Sequence, residues 1–502
     1  MFSRLRSLKL RLLLCKSDIA EAGIIDGPAL VRSLGPMNLV LLGVGCIIGA
    51  GVYIMSGVAA ANYAGPAVVL SFALAGIACT FAALCYAELA AALPVAGSAY
   101  TYAYTVLGEI FAWMMGWLLL LEYGVSAAGV AVGWSASVTS LLADFNQALP
   151  DSLTTPWLRT QWSTRGLEFS SGNHANLLAA AGILAISGWL LLGIRKTASL
   201  NAAAVAVKIG ILLLFLVVGI FFVRPNNWHP FIPANEGGSR FGLTGVIRGA
   251  SAIFFAYIGF EAVSTAAAEA RNPRRDLPIG ILGSLFICTI IYMAVAGVLT
   301  GIVPFRELGG AAPIAYAATK IGLPWFSGLI KIGSIAGLTS VMLVLLYGQS
   351  RILLAMSRDG LIPRLFGRIS AQNGVPVQGT LLLGVLVAGI AALLPIELLG
   401  DLVSLGTACA FAIVCLCVLK LRKQKPEMRR PFRAPGGRWI PILGVFASFA
   451  VAVPVLMDMA DKARHGNFAP AAILLGYLFL GFAAYALYGY HASRLASVRA
   501  IG

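Results

Sequence analysis

Apolar runs of eighteen or more residues recur twelve times along this chain, at about 37–61, 66–91, 107–142, 176–194, 198–223, 244–270, 278–301, 326–357, 378–395, 400–419, 440–458 and 469–490. Each is long enough to cross a bilayer as one helix, which takes about 20 residues. In hydrocarbon every backbone N–H and C=O needs an internal partner, so a chain of such runs folds as a helical bundle. Composition agrees. Only 11% of the 502 residues are charged and mean hydropathy is +0.88, whereas soluble domains carry about 25% charged residues. The expected fold class is an all-α polytopic membrane protein with twelve transmembrane helices. The third and eighth runs exceed what a bilayer needs and are expected to tilt or extend into water.

The net charge of +16 does not mark a nucleic-acid binder, because Lys and Arg are sorted by loop. With the N-terminus in the cytoplasm, cytoplasmic segments hold 25 of them and the opposite loops 8. That bias is a topology signature, and it puts both termini inside at a plasma (inner) membrane. The loop of residues 420–439 is the richest, and residues 491–502 form a basic tail. The basic segment 1–36 lacks a short apolar core followed by a small-residue cleavage site, so no cleavable signal is expected. Residues 144–176 and 225–241, rich in Trp, Pro, Asn and Ser, are expected to be external loops. Leu93 to Tyr104, too short to cross, reads as an interfacial or re-entrant segment. None of the four histidines falls in a membrane core. The eight cysteines lie almost wholly in apolar runs, without metal-ligand spacing or a disulfide pattern. Free thiols, no metal and no cofactor are expected.

Two runs contain weak places for helix. In the first, Gly45-Cys-Ile-Ile-Gly49-Ala50-Gly51-Val-Tyr53 puts three glycines at mid-run, where glycine loses the most backbone entropy. Three readings compete. Gly45 and Gly49 could be a close-packing helix contact. They could imitate a phosphate loop, although no strand precedes and no Gly-Lys-Ser/Thr follows. Or the helix is interrupted to offer bare N–H and C=O groups to a small zwitterion. The sixth run contains Phe254-Phe255-Ala-Tyr257-Ile258-Gly259-Phe-Glu261, with a glycine and a carboxylate about as deep. Paired interruptions in two halves of a chain point to a transporter site at an inverted-repeat interface. Close packing at Gly259 is the plainer alternative. The halves would be residues 37–223 and 244–419, with 440–490 forming two extra helices.

These residues, with Ala262-Val-Ser-Thr-Ala-Ala-Ala268-Glu269-Ala-Arg-Asn-Pro-Arg-Arg-Asp-Leu-Pro278 and Tyr347-Gly-Gln-Ser-Arg-Ile-Leu-Leu-Ala-Met-Ser-Arg-Asp-Gly360, resemble the amino acid–polyamine–organocation transporters. Within them the sequence is most similar to the bacterial branch of the cationic amino acid transporter family. That branch usually has Asp at the position of Glu261 and paired acids at Ala268-Glu269. The resemblance implies a five-plus-five inverted repeat with two added C-terminal helices, helices one and six being broken at mid-membrane. It also implies alternating access and uptake of an L-amino acid driven by a proton gradient. On matching positions, the amides of Gly49, Ala50 and Gly51 would take the substrate carboxylate. The carbonyls of Ile47, Phe255 and Ile258 would take its ammonium, with Phe255 and Tyr257 as candidate walls or gates. An aromatic stripe also serves plain packing.

Three charges lie deep in runs: Glu122, Lys208 and Glu261. Unpaired, each would cost several kcal/mol, so each is expected to have a partner and a role. Lys208 resembles the lysine that, in proton-coupled members, replaces the cation of sodium-coupled relatives. A fixed ammonium can stand in for a bound cation and release the bundle on losing its proton. Pinning to carbonyls at the first break is its structural alternative. Glu122 is a candidate proton acceptor or a contact for a basic side chain, and Glu261 is either a coupling or a structural group. Thr339 and Ser340 are candidate hydroxyl partners for Lys208. Glu88, Glu269, Lys331 and Arg351, nearer run ends, read as snorkelling or cytoplasmic-gate residues. The favoured substrates are small neutral or hydrophobic amino acids. Arg, Lys or ornithine uptake, and exchange without net proton movement, are the alternatives within the class. The sequence holds no intramembrane catalytic cluster and no repeated filter, which argues against an enzyme and a channel. A structural or sensory protein of the same fold and a small regulatory subunit stay open.

Overall fold

The computed structural model describes residues 34–93, 98–163, 166–191, 194–268, 270–310, 312–370 and 375–494; for 160–163, 166–169, 194–204, 265 and 268 it describes the backbone only. Most of the basic segment 1–36, Cys15, Glu269 and the end of the tail lie outside the described residues. The helices used below are α1 (Pro36–Ile47), α2 (Val68–Ala92), α3 (Ser98–Val106), α4 (Glu109–Asp144), α5 (Leu177–Leu190), α6 (Ile194–Gly219) and α7 (Gly242–Ile253). After a short α8 (Ala262–Thr265) come α9 (Pro273–Ile302), α10 (Pro324–Arg358), α11 (Val377–Leu393), α12 (Ile396–Gln424), α13 (Trp439–Arg464) and α14 (Ala469–Ala484). Among the described residues nine helical stretches are long and apolar enough to cross a membrane. That is fewer than the twelve runs. The difference arises where apolar runs fold as α1, α5 and α11, whose 12, 14 and 17 residues are too short alone. Residues 51–92 are continuous helical backbone except at Gly65, whose φ of +60° turns the chain before Pro66.

The two long runs, α4 and α10, lie along each other at the centre. At 1.5 Å per residue each exceeds about 50 Å, longer than the hydrocarbon core. Small residues set their separation. A Cβ at Gly124 would meet the Gln349 amide, and one at Gly348 would meet the Tyr123 ring. α9 packs on α1 and α2, α11 on α5, and α13 on α12. α14 is peripheral: Phe479 and Phe482 are 69% and 72% exposed, so their solvent is lipid. α3, in the segment read as interfacial or re-entrant, is packed against α4 and α12, with Tyr100, Tyr102 and Tyr104 buried.

The all-α expectation needs one correction. In the 144–176 segment, β1 (Leu158–Ser163) and β2 (Gly166–Ser171) pair antiparallel, Leu158 opposite Ser171 and Ser163 opposite Gly166. Leu158, Thr160 and Trp162, then Leu167 and Phe169, alternate with polar residues, the two-residue period of a strand. The seven cysteines among the described residues are free.

Candidate functional site

Backbone geometry changes at both weak places. α1 stops at Ile47; Ile48 is extended (φ −66°, ψ 104°), and helix resumes as a π-turn over Gly51–Met55. The first hydrogen bonds of the resumed helix run from Val52 and Tyr53 N–H to the Gly49 carbonyl. The amides of Gly49, Ala50 and Gly51 therefore stand ahead of the ladder, at the positive end of the following helix. α7 stops at Ile253, a 3₁₀ turn covers Phe254–Tyr257, and Gly259 adopts φ +120° before α8. The two places face each other. A Cβ on Gly51 would run into Ala256, and one on Gly259 would sit 2.7 Å from the Cys46 carbonyl carbon. Close packing at Gly51 and Gly259 thus accompanies the local change of backbone geometry.

Tyr292 of α9 ties these segments together, its hydroxyl lying 2.7 Å from the Ile47 carbonyl and 3.1 Å from that of Ala256. The Ile47 oxygen keeps one lone pair for another donor. The Phe255 carbonyl accepts from Ile258 N–H at 3.1 Å, and the Phe255 ring lies where Met55 and Gly400 meet. Tyr257 donates to the Phe72 carbonyl at 2.7 Å and packs at 5.6 Å from the Tyr292 ring. Its side chain is committed to α2. Glu261 braces the second segment from inside: Gly259 N–H and the Tyr123 hydroxyl donate to its carboxylate at 2.8 and 3.2 Å.

Lys208 reaches the first interruption from α6. Its ammonium donates to the carbonyls of Gly45 and Ile48 (2.9 Å to the latter) and to Ser340 Oγ at 3.4 Å. Three donors meet three acceptors without a carboxylate, two of them at the negative end of α1. Gly337 clears the lysine stem, a Cβ there lying 3.0 Å from that of Lys208, and Tyr53 donates to the Lys208 carbonyl at 3.1 Å. Thr339, the other candidate, turns away and donates to its own Ile335 carbonyl. Glu122 is buried on α4 within reach of the Glu261 charge, and neither carboxyl oxygen has a hydrogen-bond partner among the described residues. A group this costly to bury without a partner is a site candidate.

Sequence reasoning missed a fully buried charge nearer a run end. Arg248 of α7 is fully buried; its guanidinium bonds both oxygens of Asp401 at 2.7 Å and Asp458 at 3.2 Å, and lies 4.6 Å from the Tyr63 ring centre. Lys462 adds a second bond to Asp458, at 2.8 Å. Segment 51–64, α7, α12 and α13 are locked at this end. Each charge sits near a run end, where it reads as a boundary; only packing brings them together. Of the run-end residues, Glu88 bonds Arg422, Lys331 bonds Asp144 at 2.6 Å, and Arg351 lies 5.0 Å from the Tyr347 ring centre. Tyr292 carried a weak signal, the one tyrosine inside the apolar run 278–301.

The chain matches the amino acid permease family profile over residues 34–479. A methylthioribose transporter of Bacillus subtilis is 42% identical over 428 residues, covering 85% of this chain and 89% of the relative. The branched-chain amino acid permease BcaP of the same organism is 41% identical over 418 residues, covering 83% and 86%. A vacuolar cationic amino acid transporter of Arabidopsis thaliana is 39% identical over 404 residues, covering 80% and 65%.

Proposed function

Because the chain belongs to the amino acid permease family, we propose that it imports small neutral or hydrophobic L-amino acids by proton-coupled symport with alternating access. The observation that carries this reading is the pair of interrupted segments packed backbone against backbone at Gly51 and Ala256. We read residues 36–64 and 242–268 as crossings one and six, each broken at mid-membrane, and Gly65 as the turn between crossings one and two. That gives twelve crossings in a five-plus-five inverted repeat with α13 and α14 added. Substrate carboxylate sits on the amides of Gly49, Ala50 and Gly51; its ammonium sits on carbonyls of Ile47, Phe255 and Ile258. Phe255 walls the side-chain pocket. Recognition by backbone leaves selectivity to cavity shape, which suits apolar side chains. The branched-chain permease among the relatives supports that substrate class.

Lys208 couples the proton. Protonated, it holds the end of α1 through Gly45 and Ile48; neutral, it has one donor fewer and a lone pair facing carbonyls, so the first crossing is freed. Glu261 is the brace of the second interruption. Both termini lie in the cytoplasm, on the evidence of charge bias. A second reading, uptake of basic amino acids, is favoured by the Glu122 carboxyl, which has no partner among the described residues and would face an ammonium or guanidinium, and by the cationic transporters among the relatives. Purified protein in liposomes, offered labelled alanine, leucine and arginine with and without an inward acid gradient, tests both. Acid-driven accumulation of alanine or leucine is expected. Accumulation of arginine alone would transfer the assignment to the second reading, and no uptake of any would remove both.

A further inference from the structure

Away from the interrupted segments, a groove of about 510 Å³ opens on the surface where the start of α9 meets the 425–438 loop. Its floor and walls are apolar, with Ile279 and Leu282 on α9 and Pro431 and Phe432 on the loop; its rim is Arg274 and Arg275. Both arginines are exposed and have no acidic partner among the described residues, while Asp276, the nearest acid in sequence, is buried and accepts from Asn272 N–H. They occupy the first turn of a 30-residue helix, whose dipole adds positive potential. Arg433, next to Phe432, is exposed as well.

The loop wall is fastened. Buried Glu88 of α2 accepts from Arg422 and from Ala434 N–H at 2.8 Å, and Arg430 donates to the Leu421 and Lys425 carbonyls at 3.1 and 2.9 Å. Below the rim the groove runs into a lipid-facing stripe: Ile279, Phe286 and Ile290 are 40%, 67% and 52% exposed. Their spacing of seven and four keeps them on one helix face, and Ile279 to Ile290 spans about 16 Å, an acyl-chain length of contact. Unpaired cations at the water end of an apolar channel match one occupant.

We propose that this groove is a binding site for an anionic phospholipid, its phosphate on Arg274 and Arg275 and one acyl chain along Ile279, Leu282 and Phe432. The full chain in detergent, titrated with phosphatidylglycerol or phosphatidylcholine and followed by native mass spectrometry, tests it. The parent is expected to retain phosphatidylglycerol preferentially. Arg274→Gln with Arg275→Gln should weaken that retention about 30-fold, as loss of two interfacial charges implies. Ile279→Trp, which fills the groove and leaves the charges, should displace the same lipid. Excess inorganic phosphate should not. Equal retention of the two lipids, retention by the double variant at the parent level, or displacement by phosphate alone would overturn the assignment.

Discussion

Lys208 is the residue on which most depends, and its environment makes a specific forecast. Removing the ammonium leaves two buried carbonyls without a donor, at a cost of about 1–3 kcal/mol each. Lys208→Ala should therefore still fold, with a melting temperature lowered by several degrees, yet lose acid-driven accumulation in liposomes; accumulation at the parent level would end the coupling role. Glu122 behaves oppositely. With no partner among the described residues to lose, Glu122→Gln should hold or raise the melting temperature, and under the basic-substrate reading it abolishes arginine uptake. The depth of both residues was legible from the sequence, and so was the kind of partner Lys208 takes, carbonyls at the first break and a hydroxyl of α10, but not which hydroxyl. Ser340 and Thr339 are neighbours about 100° apart around α10, and only the packed bundle decides which one meets Lys208. Gly259 joins a left-handed φ to contact with Cys46, so Gly259→Ala adds about 1–2 kcal/mol of backbone strain to a steric clash. Reduced folded yield on size exclusion is the expected result, and an unchanged yield would mean that the segment relaxes freely.

At the scale of elements, hydrophobic length located the helices because the bilayer imposes it. It left out what depends on meeting another element. Arg248, Asp401 and Asp458 lie on α7, α12 and α13, and none is notable before those helices converge. Breaking such a buried pair is costly, about 3–5 kcal/mol, since it strands a charge. Arg248→Met should accordingly lower thermal stability far more than Arg248→Met with Asp401→Leu and Asp458→Leu together, measured by fluorescence-detected unfolding. Equal losses would mean that Arg248 contributes through packing alone. The β1–β2 hairpin escaped because its alternation spans only a few residues inside a polar segment, where propensity is weak.

Across the whole molecule, the two interrupted segments meet at the centre, the Arg248 network locks one end, and lipid-facing α13 and α14 stand outside. Family membership rests on similarity along 85% of the chain; the substrate does not follow from it, since the relatives' names span methylthioribose, branched-chain and cationic amino acids. The central claim is that backbone groups of both interruptions hold the amino acid. It is tested most directly by an experimental structure of the protein in lipid with a saturating neutral amino acid. The account predicts ligand density between the segments, its carboxylate within hydrogen-bond distance of the Gly49–Gly51 amides and its ammonium facing the carbonyls of Phe255 and Ile258. Density elsewhere, with residues 47–51 and 254–259 still packed against each other and unoccupied, would contradict it.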